Sequence, residues 1–136
     1  MDPQNTLKIM VIDDDPEILE SFKKTFENSG FQLFLAKNGV TAIEEAKREK
    51  YHIAFIDLYM PVMNGLETMT HLKESNSDLI AVMISGFRNE QMLETAIKSG
   101  AYDYLYKPLD IQDIIGITLK LSRQLGIQSN LEVFFE

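Results

Sequence analysis

Apolar runs of roughly four to six residues alternate along this chain with amphipathic stretches of about ten or more. That alternation is the pattern of βα units around a parallel sheet. It predicts strands over Leu7–Ile12, Phe31–Ala36, Ile53–Ile56, Leu79–Ile84 and Tyr104–Tyr106. Asp15-Pro16 reads as an N-cap followed by proline at the first helical position, where its missing N–H does no harm. The helix it opens carries Ile18, Leu19, Phe22 and Phe26 on one face and is expected to stop at Gly30. Further helices are predicted over Thr41–Arg48, over Leu66–Lys73 after a Pro61…Asn64-Gly65 turn, over Asn89–Ser99 before Gly100, and over Ile111–Leu125. Five strands and five helices make one α/β domain over residues 1–126. The remainder, Ile127–Glu136, is unusually apolar at its end, and reads as a helix extension, a docking segment or the scar of an engineered protease site.

Composition narrows the classes of function. A chain of 136 residues with 45% hydrophobic content can bury a sizeable core in one domain. A net charge of -8 argues against a nucleic-acid-binding surface, which demands clustered Lys and Arg. The absence of cysteine excludes disulfides, thiol catalysis and thiolate metal sites. No apolar stretch approaches the roughly 18 residues of a membrane span, and Met1–Thr6 lacks the parts of a signal peptide. The expectation is a soluble cytoplasmic protein without membrane contact.

The chemistry gathers where the apolar runs stop. Ile9–Ile12 stops on Asp13-Asp14-Asp15, Ile53–Ile56 on Asp57, Ile80–Ile84 on Ser85, and Tyr104–Tyr106 on Lys107-Pro108. If these runs are parallel strands of one sheet, their ends bring four carboxylates, a hydroxyl and an ammonium to the edge where ligands bind in open α/β folds. Two carboxylates about 4 Å apart repel by around 1 kcal/mol in water and about 4 at an effective dielectric of 20. One lysine cannot neutralise the cluster, so a hard divalent cation is its natural partner, and carboxylates with a carbonyl and water suit Mg²⁺. Capping explains Asp15, which directly precedes Pro16, but not both Asp13 and Asp14.

These fragments, in this order, resemble the receiver domain of two-component response regulators over roughly Lys8 to Gly126. The resemblance rests on Val11-Ile12-Asp13-Asp14-Asp15-Pro16, on Ile56-Asp57-Leu58-Tyr59-Met60-Pro61…Asn64-Gly65, on Met83-Ile84-Ser85-Gly86, and on Gly100–Pro108. It implies a flavodoxin-like, doubly wound five-stranded parallel sheet of order 2-1-3-4-5. It implies that Asp57 takes a phosphoryl group from a sensor histidine kinase or histidine phosphotransfer protein. Asp14 would bind Mg²⁺ directly, Asp13 largely through water, and Asp57 and the Tyr59 carbonyl would complete the protein ligands. Lys107 and Ser85 would hold phosphoryl oxygens, and Tyr104 would be a switch residue. Tyr59 and Phe87 would flank the path of hydrolytic water and set the lifetime of the phosphorylated form. The partners implied are the kinase, a downstream output protein or domain, and a second copy on phosphorylation. Ser85 replaces a commoner threonine and Gly86 a common alanine, which bears on the energetics of switching rather than on the chemistry. The resemblance also implies a cis Lys107-Pro108 bond.

Three other readings compete. A haloacid-dehalogenase-like phosphatase also uses an aspartate nucleophile, Mg²⁺, a hydroxyl and a lysine. It usually carries Thr or Val where this chain has Glu17, and usually a longer chain with a cap. A flavin or nucleotide domain wants a Ser/Thr/Gly-rich phosphate loop where this chain has three aspartates. A degenerate receiver is disfavoured by the intact acceptor, acidic pair and lysine. His52 and His71 fit no metal-ligand spacing, and Met60 and Met63 read as packing residues.

Overall fold

A computed structural model describes residues 6–86 and 89–127. Among the described residues the strands are β1 Lys8–Ile12, β2 Gln32–Ala36, β3 Ile53–Asp57, β4 Ile80–Ser85 and β5 Asp103–Tyr106. The helices are α1 Pro16–Phe26, α2 Gly39–Arg48, α3 Gly65–Ser75, α4 Glu90–Lys98 and α5 Ile111–Leu125. The strands pair in parallel in the order β2-β1-β3-β4-β5. This is the doubly wound sheet expected from the alternation and the resemblance.

The unbroken apolar character of the central strands follows from burial on both faces. Alternate residues point to opposite sides. Met10, Ala54, Ile56 and Met83 belong to the core shared with Met69, Leu72, Leu93 and Ala96 of α3 and α4. Val11, Phe55, Val82 and Ile84 belong to the core shared with Leu19, Phe22, Ile114 and Leu121 of α1 and α5. Phe22 and Phe55 meet at 4.9 Å between ring centroids in a tilted arrangement, and both are fully buried. Each such side chain contributes about 1.5–3 kcal/mol on burial. Ile127 is buried in the same core cluster as Leu7; residues 128–136, the rest of the apolar tail, lie outside the described residues.

Three local expectations are corrected. The first helix ends at Phe26 rather than running to Gly30. Asn28 already takes a left-handed φ of 63°, which asparagine tolerates better than most residues, and the Ser29 hydroxyl accepts the Phe31 N–H. The second helix begins at Gly39 because the Asn38 side chain caps it through Thr41 N–H. Asn64-Gly65 is not a turn pair. Asn64 is the N-cap of α3, accepting Glu67 N–H, and the left-handed residue of that loop is Val62, at φ 71°.

His52, given no role from the sequence, ties the lower edge of the sheet together. Its backbone N–H donates to Lys8 O, its carbonyl accepts from Ile80 N–H, and its Nδ1 accepts from Lys8 N–H at 3.0 Å. A ring nitrogen that accepts cannot carry a proton, so the ring is the neutral Nε2–H tautomer. Burial, with the Lys8 charge assisting, holds the His52 imidazole below its ordinary value of 6.5. The unfolded chain therefore takes up a proton near pH 6.5 that the folded chain refuses, and this contribution to stability is lost as pH falls below 6.5. His52→Asn keeps an acceptor and cannot titrate. In melts between pH 7.5 and 5, wild type should lose stability relative to that variant as the solution is acidified; parallel profiles would show that His52 does not titrate in this window.

Candidate phosphoryl and metal site

The sheet order reverses between β1 and β3, and ligands in open α/β sheets bind outside the carboxyl ends of the strands at such a point. Asp13 follows β1 directly and Asp57 ends β3. Asp13 is fully buried and Asp57 nearly so. One carboxylate oxygen from each of Asp13, Asp14 and Asp57 falls within 4.8 Å of the others, with Asp14 exposed at the rim.

Both buried carboxylates are oriented by the same local device. Asp13 Oδ1 accepts Asp15 N–H at 2.9 Å, and Asp57 Oδ1 is approached by Tyr59 N–H at 3.4 Å. In each case the acceptor lies two residues before the donor, a turn natural to aspartate at a strand end. Each carboxylate is left presenting Oδ2 to the site. Lys107 Nζ lies between them, 3.0 Å from Asp13 Oδ2 and 3.5 Å from Asp57 Oδ2. The first contact is an ion pair without hydrogen-bond direction, and Asp13 Oδ2 is a buried oxygen that accepts no hydrogen bond. Lys107 itself is placed by its backbone N–H on Ser85 O at 2.7 Å, and its bond to Pro108 is cis.

Burial pushes the Asp57 carboxyl up to about 7; the nearby Asp13 charge adds to the rise, while Lys107 and Tyr59 N–H oppose it. Burial works against the Lys107 ammonium, but Asp13 and Asp57 together hold it above its ordinary value. One cation thus serves two buried carboxylates, an unbalanced arrangement that favours a further positive charge. A hard oxygen-seeking cation fits the three convergent carboxylates, which share a single lysine.

The other predicted residues divide. Ser85 is fully buried at the end of β4, one residue past Ile84, the β-partner of Asp57. Its carbonyl receives Lys107 N–H, which sets its backbone beside the lysine of the cluster. Tyr59 is exposed at 37% at the rim. Tyr104 is not in the cluster. It stacks edge-on against Tyr106 at 5.3 Å and lines, with Leu93 and Ile97 of α4, a groove of about 360 Å³. Phe87 lies outside the described residues.

Gly65 is a residue whose reason only the packing reveals. A Cβ there would overlap the Asp57 carbonyl and come within 2.8 Å of Leu58 Cα, while Gly65 N–H donates to Leu58 O at 3.0 Å. The start of α3 thus rests directly on the backbone of Asp57 and Leu58.

Comparison with known proteins bears on the family and the fold. The family profile of the response regulator receiver domain matches residues 9–118. The chain is 34% identical over 110 residues to the transcriptional regulatory protein CrdR of Helicobacter pylori, covering 79% of this chain and 51% of that protein. It is 32% identical over 111 residues to the transcriptional regulatory protein ZraR of Klebsiella oxytoca, covering 82% of this chain and 25% of that one. The chain thus spans between a quarter and about half the length of these relatives. Among solved structures, the receiver domain of the Francisella response regulator 1452 superposes with a TM-score of 0.79 at 28% identity, over 88% of this chain and 99% of that one. A two-component response regulator from Clostridium difficile superposes with a TM-score of 0.83 at 24% identity, over 88% and 98%, a likeness of fold. The chain belongs to the response regulator receiver domain family.

Proposed function

We propose that this chain is the phosphoacceptor switch of a two-component phosphorelay, with Asp57 as acceptor. The observation that carries the reading is the convergence of the Asp13 and Asp57 Oδ2 atoms on one lysine at the carboxyl edge of the sheet. In the transfer, an Asp57 carboxylate oxygen bonds to phosphorus as the P–N bond of a partner's phosphohistidine breaks, and the electron pair leaves with the imidazole nitrogen. Such a transfer asks the protein for position and charge neutralisation rather than for further covalent machinery. Lys107 would hold one phosphoryl oxygen and the Ser85 hydroxyl another. Asp13, Asp14, Asp57 and the Tyr59 carbonyl would hold Mg²⁺, which supplies neutralisation of the carboxylates and of the phosphoryl oxygens.

The partners are a sensor histidine kinase or histidine phosphotransfer protein, a downstream output protein or domain, and a second phosphorylated copy. The acidic chain makes no direct nucleic-acid contact of its own. No described helix is long and apolar enough to cross a membrane, and the proposed setting is the cytoplasm. The proposed domain is residues 1–126, and the tail is residues 127–136. Acetyl phosphate and Mg²⁺ should add one phosphoryl group, labile at alkaline pH, detected by intact mass. Phosphate esters should not be turned over; sustained turnover would favour the phosphatase reading.

Persistence of the phosphorylated form is set in this reading by crowding of the in-line water. Tyr59 stands at the rim two residues after the acceptor, and Phe87 two after Ser85. Tyr59→Asn combined with Phe87→Ala should speed dephosphorylation about tenfold, the effect of ~1.4 kcal/mol on the barrier, with Mg²⁺ affinity nearly unchanged. An unaltered decay rate would assign the lifetime to something other than these rings.

A further inference from the structure

We infer that Asp15, which stands outside the carboxylate cluster, is the positioning residue for Asp13. The inference rests on the reading that the cluster holds Mg²⁺. Asp13 is fully buried and has two oxygens with different fates. Oδ1 accepts Asp15 N–H at 2.9 Å, while Oδ2 is buried in the site and faces Lys107 Nζ at 3.0 Å. Lys107 reaches Oδ2 on a flexible stem, so the fixed, backbone end of the carboxylate's orientation is set by where Asp15 N–H is held.

Every polar group that could anchor Asp15 is committed. Its side chain accepts Glu17 N–H at 2.9 Å, its carbonyl accepts from Ile18 and Leu19 N–H, and its backbone is extended at φ -87° and ψ 113° as the N-cap of α1. Pro16 follows directly, which fixes the next φ and removes one competing N–H. The far side of the turn is held as well, because Asp13 N–H donates to Ala36 O at the end of β2. Asp13 is thus clamped from both sides. Without the Asp15 carboxylate, the turn from β1 into α1 loses the bond that holds its donor in place. Asp13 could then rotate and offer Oδ1 or neither oxygen. Groups that orient a metal-binding carboxylate typically change affinity by about ten- to a hundredfold when removed.

Charge must be separated from position, since Asp15 is itself an anion near the cluster. Asp15→Asn and Asp15→Ser remove the charge and keep an acceptor for Glu17 N–H. Asp15→Ala removes both. Asp15→Gly also removes both, at a cost to the cap of only a few tenths of a kcal/mol, so it remains folded if the alanine variant does not. Gly100→Ala serves as a control for general destabilisation. Gly100 sits at φ 118° at the opposite end of the sheet, with Lys73 Cε 3.3 Å from the position of an added Cβ.

Mg²⁺ dissociation constants would be measured by calorimetry on the whole chain at pH 8. Wild type should bind Mg²⁺. Asn and Ser should weaken binding by no more than about threefold, a surface-charge effect. Ala and Gly should weaken it about tenfold or more, and Gly100→Ala should leave it unchanged. Equal weakening by Asn and Ala would reduce Asp15 to a charge and overturn the inference, as would tight binding by Ala and Gly. Weakening by Gly100→Ala equal to that by Ala would reduce the effect to stability and overturn it too. A wild type that binds no Mg²⁺ would remove the reading beneath it, a result separate from any ranking of the variants.

Discussion

Asp57→Asn is expected to gain no phosphoryl group from acetyl phosphate and Mg²⁺ under conditions in which the wild type gains one. The amide keeps the volume of the carboxylate but loses its nucleophilic oxygen. The three other aspartates of the site are not substitutes. Asp13 has both oxygens engaged, Oδ1 by Asp15 N–H and Oδ2 by Lys107 Nζ, Asp14 is exposed at the rim, and Asp15 is committed to capping α1. Lys107→Ala should retain Asp57 as the acceptor but slow its labelling at least about a hundredfold, the range seen when one preorganised charge partner of a developing anion is removed. Intact mass followed by peptide mapping after borohydride reduction measures both. Equal labelling of Asp57→Asn would overturn the assignment of the acceptor.

A second large effect is expected in the dependence of stability on pH and Mg²⁺. In the metal-free protein the folded state holds a proton on Asp57 up to about pH 7, whereas the unfolded chain releases it near 3.8. Between those values the folded state binds more protons than the unfolded one, so this group's contribution to stability falls as pH rises and levels off above about 7. The slope has the opposite sign to the His52 effect, and the two are separated by their variants. Asp57→Asn should abolish the carboxylate slope and be more stable than wild type at pH 8 without metal. Mg²⁺ should reverse the wild-type deficit, by about 2.7 kcal/mol at a hundred times its dissociation constant. Asp14→Ala should lose most of that gain. Urea denaturation at pH 5 and pH 8, from micromolar to tens of millimolar Mg²⁺, tests all three. A wild-type midpoint indifferent to Mg²⁺ at pH 8 would count against a metal at this site.

The amino-acid sequence alone determined the architecture, because its signals are local and repeated. Residues buried on both faces must be apolar, so β1, β3 and β4 announce themselves as uninterrupted runs. Those runs stop on Asp13, Asp57 and Ser85, and the run of β5 on Lys107, so the chemistry of the strand ends is legible without any distance. Caps were half legible. Asp15 before Pro16 signals its cap, while Asn38 and Asn64 do not, because asparagine before glycine fits a turn as easily as a cap.

Only the tertiary structure decided matters of direction. Which oxygen of Asp13 faces the site depends on a hydrogen bond from Asp15 N–H, and the pairing of Lys107 with both carboxylates depends on β5 standing two strands from β3. The anchoring of β1 by the His52 ring joins residues 44 apart in sequence, so no local pattern could signal it. The glycine at position 65 is required by the approach of α3 to the Asp57 carbonyl, and the placement of Tyr104 against α4 rather than in the cluster follows from which face of β5 it occupies. Side-chain type is written in the chain, but orientation is set by neighbours brought from elsewhere. That is why the members of this site could be read from the sequence and their geometry could not.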